Sequence, residues 1–182
     1  ILTSLWVLSS LQAQDSILSS EQRIQMLNPP GDHPVRMVFD TDTYNEIDDQ
    51  FALVYSLVSP ELNVEAVYAA PFQNRRASKP GDGMERSYEE ILRILQKMNI
   101  EHEGFALRGS SGFLTDPAQP HRSPAALDLV ARAKRSSSDD PLYVVAVGAI
   151  TNVASAILID PTIIKNIVVV WLGGNGHDWP HQ

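Results

Sequence analysis

Residues 35–49 read Val-Arg-Met-Val-Phe-Asp-Thr-Asp-Thr-Tyr-Asn-Glu-Ile-Asp-Asp, and this stretch decides the fold. Val35 to Phe39 is a short apolar run of strand length. It ends in Asp40 and Asp42, and Asp48 and Asp49 then open a segment of helical period running to Val58. A strand that passes through a polar turn into a helix is the first half of a βαβ unit. Working outward, the same alternation recurs. Further strands are expected at Val64 to Ala70, Gly104 to Leu107, Leu142 to Val147 and Ile167 to Leu172. The last two are nearly uninterrupted apolar runs, as for parallel strands covered on both faces.

Between the strands, Met84, Tyr88, Ile91, Leu95 and Met98 recur at four- and three-residue steps, which predicts a helix opened by the capping pattern Asp82-x-x-Glu85. Ser123 before Pro124 predicts a second helix to about Ser136, with Ala126, Leu129, Val130 and Ala133 on its inner stripe. Asp48 to Val58 and Thr151 to Ile159 complete the set, closed by Pro60 and Pro161. The expected fold class is α/β: an open, mostly parallel sheet flanked by helices, Rossmann-like. Long polar loops are expected from Pro71 to Gly83 and from Gly109 to Arg122. In such sheets ligands bind outside the carboxyl ends of the strands.

The chain has 182 residues, 22 acidic against 14 basic, with a formal charge of −8 and no cysteine. Lack of cysteine excludes a disulfide scaffold, a thiolate metal site and a cysteine nucleophile, and leaves the redox compartment open. An acidic chain without a Lys/Arg run has no footprint for nucleic acid or for an anionic membrane. Residues 1–14 hold a short apolar stretch, ILTSLWVLSSL, followed by Gln-Ala-Gln just before Asp15, and read as the remnant of a secretory signal. Secretion or a periplasmic location follows, or a cytoplasmic one if this stretch is instead a buried helix. Residues 15–34 read as a linker or N-terminal extension, and residues 35–182 as the α/β domain. The chain ends in GGNGHDWPHQ, inside a loop that follows an apolar strand, and reads as cut at the C-terminus.

Asp40, Asp42, Glu46, Asp48 and Asp49 crowd one strand edge, and so many like charges call for compensation. A hard, oxygen-seeking cation such as Ca²⁺ or Mg²⁺ suits them. Adjacent helical residues point about 100° apart, so of Asp48 and Asp49 one is expected to face the ion and the other to remain free for a substrate hydroxyl. Either acid alone is equally explained by the favourable field at a helix N-terminus. Ordinary turn and cap chemistry also accounts for Gly148 and Thr151 taken singly, and Gly173-Gly174-Asn175 for a plain loop.

The acidic stretch, Val145 to Ala154 (VAVGAITNVA) and Val168 to Gly174 (VVVWLGG), in that order, resemble the inosine/uridine-preferring nucleoside hydrolase family over about Val35 to Gln182. The resemblance implies Ca²⁺-dependent hydrolysis of the N-glycosidic bond of a nucleoside, giving ribose and free base. Carried over by position, Asp42 is the metal-bound general base and Asp49 a second metal ligand. Val147 offers its backbone carbonyl to the ion, and Asp40 supports the site from behind. Asp48, Asn74 and Asn175 would meet the substrate, and a homo-oligomer is implied as possible. Thr43 to Ile47 replaces the family's usual Pro-Gly by a longer connection, so the base preference of better-known members does not carry over. Leu172 stands where Met is common. The family's remaining metal-binding Asp and the His near the leaving base belong to a later segment, so the site is expected to be partial and these 182 residues alone inactive. His177, Trp179 and His181 lie in the last loop, where solvent exposure or packing explains them as well as contact with a base. Two other readings remain open: a haloacid dehalogenase-like phosphatase with Asp40 as nucleophile and Asp42 as acid/base, and a non-catalytic ribose-binding or inactive fragment.

Overall fold

A computed structural model describes residues 18–28, 31 and 33–174. The signal-like stretch, Asn175, His177, Trp179 and His181 lie outside the described residues. Five parallel strands form one sheet: β1 (Val35–Thr41), β2 (Leu62–Ala69), β3 (Ala106–Arg108), β4 (Leu142–Ala146) and β5 (Ile167–Trp171), in the order β3-β2-β1-β4-β5. The helices are α1 (Ser20–Met26), α2 (Ile47–Val58), α3 (Pro80–Lys97), α4 (Pro124–Ala133) and α5 (Thr151–Ile159), with a 3₁₀ turn at Pro161–Asn166 before β5.

The side-chain period of two builds a core on each face of the sheet. Met37 and Phe39 of β1 pack with Leu53, Met84, Ile91 and Leu95 of α2 and α3. Val38 points the other way, to Leu129, Ala133, Val153 and Ala156 of α4 and α5. Leu142, Val144 and Ala146 of β4 join the second core, while Tyr143 and Val145 border the first. Cover on both faces accounts for the apolar run of β4, whereas β5, at the sheet's edge, leaves Val169, Val170 and Trp171 exposed, so the expectation of two covered faces fails there.

Strand order reverses between β1 and β4, where the chain leaves β1 for β2 on one side and later returns to β4 on the other. This is the switch point of a doubly wound sheet, and the crevice at its carboxyl edge is where such folds bind ligands. β1 runs two residues beyond its expected end, which puts Asp40 inside the strand and Asp42 directly after it.

Several local expectations are corrected. α3 begins at Pro80, with Lys79 at the cap position and no side-chain cap, so Asp82 lies in the first turn and does not cap it. A proline at the first helical position has its φ already set and needs no N–H partner, which makes it the stronger start signal. The preceding loop is correspondingly shorter. Thr151 is not a cap either: Ile150 holds that place and Thr151 is buried as the first helical residue. Ser123 does cap α4, accepting a hydrogen bond from the Ala126 N–H. β3 starts at Ala106 because the Phe105 and Ala106 N–H groups are drawn into a turn on the His102 carbonyl. The stretch read as linker contains α1, opened by a reciprocal Ser19/Gln22 capping box, with Met26 buried.

Candidate active site

The crevice is floored by carboxylates. Asp40 is 1% exposed, and one of its oxygens accepts from the Asn152 amide at 3.1 Å while the other, Oδ2, has no partner. Asp42 and Asp49 are also buried, and lie within hydrogen-bond reach of each other. Asp48, next along α2, is exposed, so the helix splits the pair as its 100° step requires. No ion pair among the described residues includes Asp40, Asp42 or Asp49.

Loss of water dominates the acid–base behaviour of this floor. Burial pushes the Asp40 carboxyl up to about 7, against the pull of the Asn152 hydrogen bond. Burial and then the neighbouring Asp42 carry Asp49 up to about 8. Asp42 is raised as well, chiefly by burial, although hydrogen bonds involving Asp49 and Asn45 hold it back. Two buried carboxylates this close share a proton when no cation is present.

Other segments complete the walls. The Val147 N–H donates to the Asp40 carbonyl at 2.9 Å, which brings the end of β4 beside the acids. Gly148 follows. A Cβ there would stand 2.9 Å from Asp42 Oδ1 and 3.2 Å from the Asp42 nitrogen, so glycine lets the turn approach without displacing the Asp42 side chain. Trp171 of β5 donates its indole N–H to the Gly148 carbonyl at 3.0 Å and steadies the turn.

Three participants escape a reading of the acidic run alone. Asn45 donates to Asp42 Oδ2 at 3.0 Å, and its own oxygen accepts from the Asn74 amide at 2.6 Å. Asn74 is thus tied to Asp42 through one residue. Arg76 donates to the Asn45 carbonyl at 2.5 Å, and its N–H bonds the Asn74 side chain at 2.7 Å. Asn152, fully buried, joins Asp40 to the Ala69 carbonyl and accepts from the Ser110 N–H and hydroxyl at 2.8 and 2.9 Å. The signal for Asn45 was its place three residues after Asp42, where Asx turns form. Asn152 sat inside the GAITN segment, next to a threonine with an obvious local role.

Chemically, the site offers oxygen donors and uncompensated buried acid, which matches a hard cation. Asp40 Oδ2, buried and unpartnered, and the close Asp42/Asp49 pair are the features that fit one. Among the described residues no three His, Cys, Asp or Glu side chains converge as a ready-made cage, so carboxylates supply only part of the six to eight oxygens that Ca²⁺ takes. Asp40, 1% exposed and with one oxygen bonded to Asn152, is placed to support the floor of the site.

Fold and site together define a doubly wound α/β protein with an acidic crevice at the switch point. The chain belongs to the inosine-uridine preferring nucleoside hydrolase family, whose pattern matches residues 37–179. It is 31% identical over 157 residues to the pyrimidine-specific ribonucleoside hydrolase RihA of Citrobacter koseri, covering 76% of this chain and 47% of that protein. The RihA of Salmonella schwarzengrund is 30% identical over 145 residues, covering 70% and 45%. The chain therefore spans about half the length of the curated relatives it matches. Among solved structures, an inosine-guanosine nucleoside hydrolase aligns with a TM-score of 0.55 at 18% identity, over 75% of this chain and 47% of that one. A purine-preferring ribonucleoside hydrolase from Gardnerella vaginalis also gives 0.55, at 21% identity, over 77% and 49%. These two likenesses establish the fold. Among the described residues no helix is long and apolar enough to cross a membrane.

Proposed function

We propose that this protein hydrolyses the N-glycosidic bond of ribonucleosides to ribose and free base, with Ca²⁺ held by Asp42, Asp49 and the Val147 carbonyl. The observation that carries the reading is the pair of buried carboxylates at the switch point, Asp42 and Asp49, with no basic partner among the described residues. Ca²⁺, when bound, supplies positive charge that draws the acids and the vicinal ribose hydroxyls together and acidifies water.

Asp42, oriented by the Asn45 amide, takes the proton of the attacking water as its oxygen bonds to the anomeric carbon. The bond from that carbon to the base nitrogen breaks with its electron pair going to the base, and the proton taken by Asp42 returns through solvent to the departing base nitrogen, so that one water is consumed overall. Charge that builds on the sugar in an oxocarbenium-like transition state is met by the surrounding carboxylates. Asp48 and Asn74, both exposed at the rim, are the residues proposed to hold ribose hydroxyls. Asp40 supports the floor from behind, and Asn175, outside the described residues, is proposed as a further substrate contact.

The test is ribose release by the natural full-length protein from uridine and, in parallel, inosine; uridine comes first because the matched relatives are called pyrimidine-specific. Turnover is expected with Ca²⁺, to vanish with chelator, and to fall on the order of 10²–10⁴-fold in Asp42→Asn. Intact nucleosides after incubation with the wild type and Ca²⁺ would sink the reading.

A further inference from the structure

One guanidinium holds the connection between β1 and α2. Arg76 donates from a single nitrogen, Nη1, to the carbonyls of Asn45 at 2.5 Å and Tyr44 at 3.3 Å, two successive residues of the stretch that is longer than the family's usual turn. Among the described residues it makes no ion pair, although the chain has a formal charge of −8, so its charge serves backbone carbonyls. The backbone that launches it is fixed, since Asn74 and Ala77 pair across a tight turn at 3.0 and 3.3 Å and Ala77 is buried.

The hydrogen bonds close into a ring. Asn45 Nδ2 donates to Asp42 Oδ2, Asn45 Oδ1 accepts from Asn74 Nδ2, and Asn74 Oδ1 accepts from the Arg76 N–H, while the Arg76 side chain returns to the Asn45 carbonyl. An amide can present either end to a neighbour, and here each end is dictated. With its oxygen taken by an N–H, Asn45 has only its NH₂ to turn to Asp42. Asp42 Oδ2 is thereby occupied, and Oδ1 is left on the side of Gly148, where an added Cβ would meet it at 2.9 Å. Asn45 is only half-buried and sits in a loop, so its side chain is free to reach other rotamers once the clamp is gone. The remaining ties of Tyr44 are weaker: its N–H reaches the buried Ser87 hydroxyl at 3.4 Å, and Arg86 stands 5.6 Å from its ring centre.

We infer that Arg76 is a positioning residue: by clamping the Tyr44 and Asn45 carbonyls it keeps the Asn45 amide on Asp42 Oδ2, and so holds the carboxylate in the orientation from which it takes a proton from water. The inference rests on the hydrolase reading above and adds to it the residue that acts through Asn45. Asn74 keeps one N–H and one lone pair for a ribose hydroxyl. Its bond to the Arg76 main chain survives replacement of the Arg76 side chain by alanine or lysine, so sugar binding and proton transfer separate in those variants.

Kinetics of the natural full-length protein with saturating Ca²⁺, on uridine or inosine, test it. Arg76→Ala should lower kcat about 10–100-fold with KM changed less than about twofold. Arg76 is exposed, so its variants should keep the wild-type circular dichroism. Arg76→Lys, which keeps the charge but lacks the planar fork, should recover part of the loss, and millimolar guanidinium should restore Arg76→Ala. Asn45→Ala should match Arg76→Ala, and the double variant should be no slower than either, because both remove one orientation. Arg75→Ala, at the exposed neighbour, is the control and should match the wild type. In the calcium-free protein, NMR should show the Asn45 side-chain amide as hydrogen-bonded, and Arg76→Ala should move that signal toward a solvated amide. Losses that multiply in the double variant, a fall confined to KM, or an Asn45 signal unmoved by Arg76→Ala each overturn the inference. A wild type that releases no ribose fails the hydrolase reading instead, and the amide signal then decides this one.

Discussion

Asn152 donates to Asp40 across 3.1 Å although the two residues are 112 positions apart, and it does so from a fully buried position at the first turn of α5. The same amide group reaches the Ala69 carbonyl, and its oxygen takes the Ser110 N–H and hydroxyl. One side chain therefore fastens the carboxyl ends of β1 and β2, the loop after β3 and the start of α5. Asn152→Ala strands a carboxylate oxygen, a carbonyl and an amide N–H in a dry interior. About 3 kcal/mol should be lost, since each unmet buried group costs on the order of 1–3 kcal/mol and the losses overlap. A melting temperature lowered by about 6–12 °C is the expected reading for a chain of this size.

Glycines at the crevice give a graded test. Gly148→Ala sets a methyl 2.9 Å from Asp42 Oδ1, so Asp42 must move; the chain should still fold, but calcium affinity by calorimetry should fall at least about tenfold. Gly109→Ala is harsher, because its Cβ would stand 1.9 Å from the Ala69 carbonyl oxygen and 2.4 Å from Asn152. Soluble yield should collapse. Gly112→Ala, whose nearest neighbour is His121 at 3.4 Å, serves as the control and should change neither.

Acid should stabilise the calcium-free protein. Asp40 at about 7 and Asp49 at about 8 both lie above their ordinary value of 3.8, so between those limits the folded chain keeps protons that the unfolded chain has released. Their contribution is complete below about pH 4 and fades as the pH climbs through 7 and 8. Melting in chelator should be higher at pH 5 than at pH 8. Added Ca²⁺, competing with those protons, should raise the melting point more at pH 8 than at pH 5. Equal gains at both would contradict the protonated floor.

Away from the crevice, the Tyr68 hydroxyl donates to Asp128 at 2.7 Å, and Arg132 bonds the same carboxylate at 2.6 Å. Tyr68→Phe removes one of two partners and opens no cavity, so urea unfolding should show a loss of about 1–2 kcal/mol with no effect on calcium affinity.

The sheet was legible because β4 and β5 announce themselves as apolar runs and β1 ends in acids. α5 was found to the residue, from Thr151 to Ile159. Helix starts were less so: Asp82 and Thr151 look like caps, yet Pro80 and Ile150 occupy the starts, since several local signals compete within one turn and packing chooses. Around the crevice, Asp42, Asp48 and Asp49 stood out as part of one acidic run, and Asn74 came only from the family resemblance. Asn45, Arg76 and Asn152 did not stand out, because an amide or guanidinium declares its role only when a distant backbone arrives beside it. The exposed face of α2 hid for the opposite reason, as Phe51 and Tyr55 look like core residues until the sheet is seen to lie on the other side.

The crevice passes from a dry floor at Asp40 and Asn152 to a wet rim at Asp48 and Asn74. Substitutions at solvent-facing positions usually alter stability by less than about 0.5 kcal/mol, whereas those in a sealed polar network cost several times more. Descendants of such a protein are thus free to change the rim one residue at a time, while the sealed network beneath it stays locked by the stability lost on disturbing it.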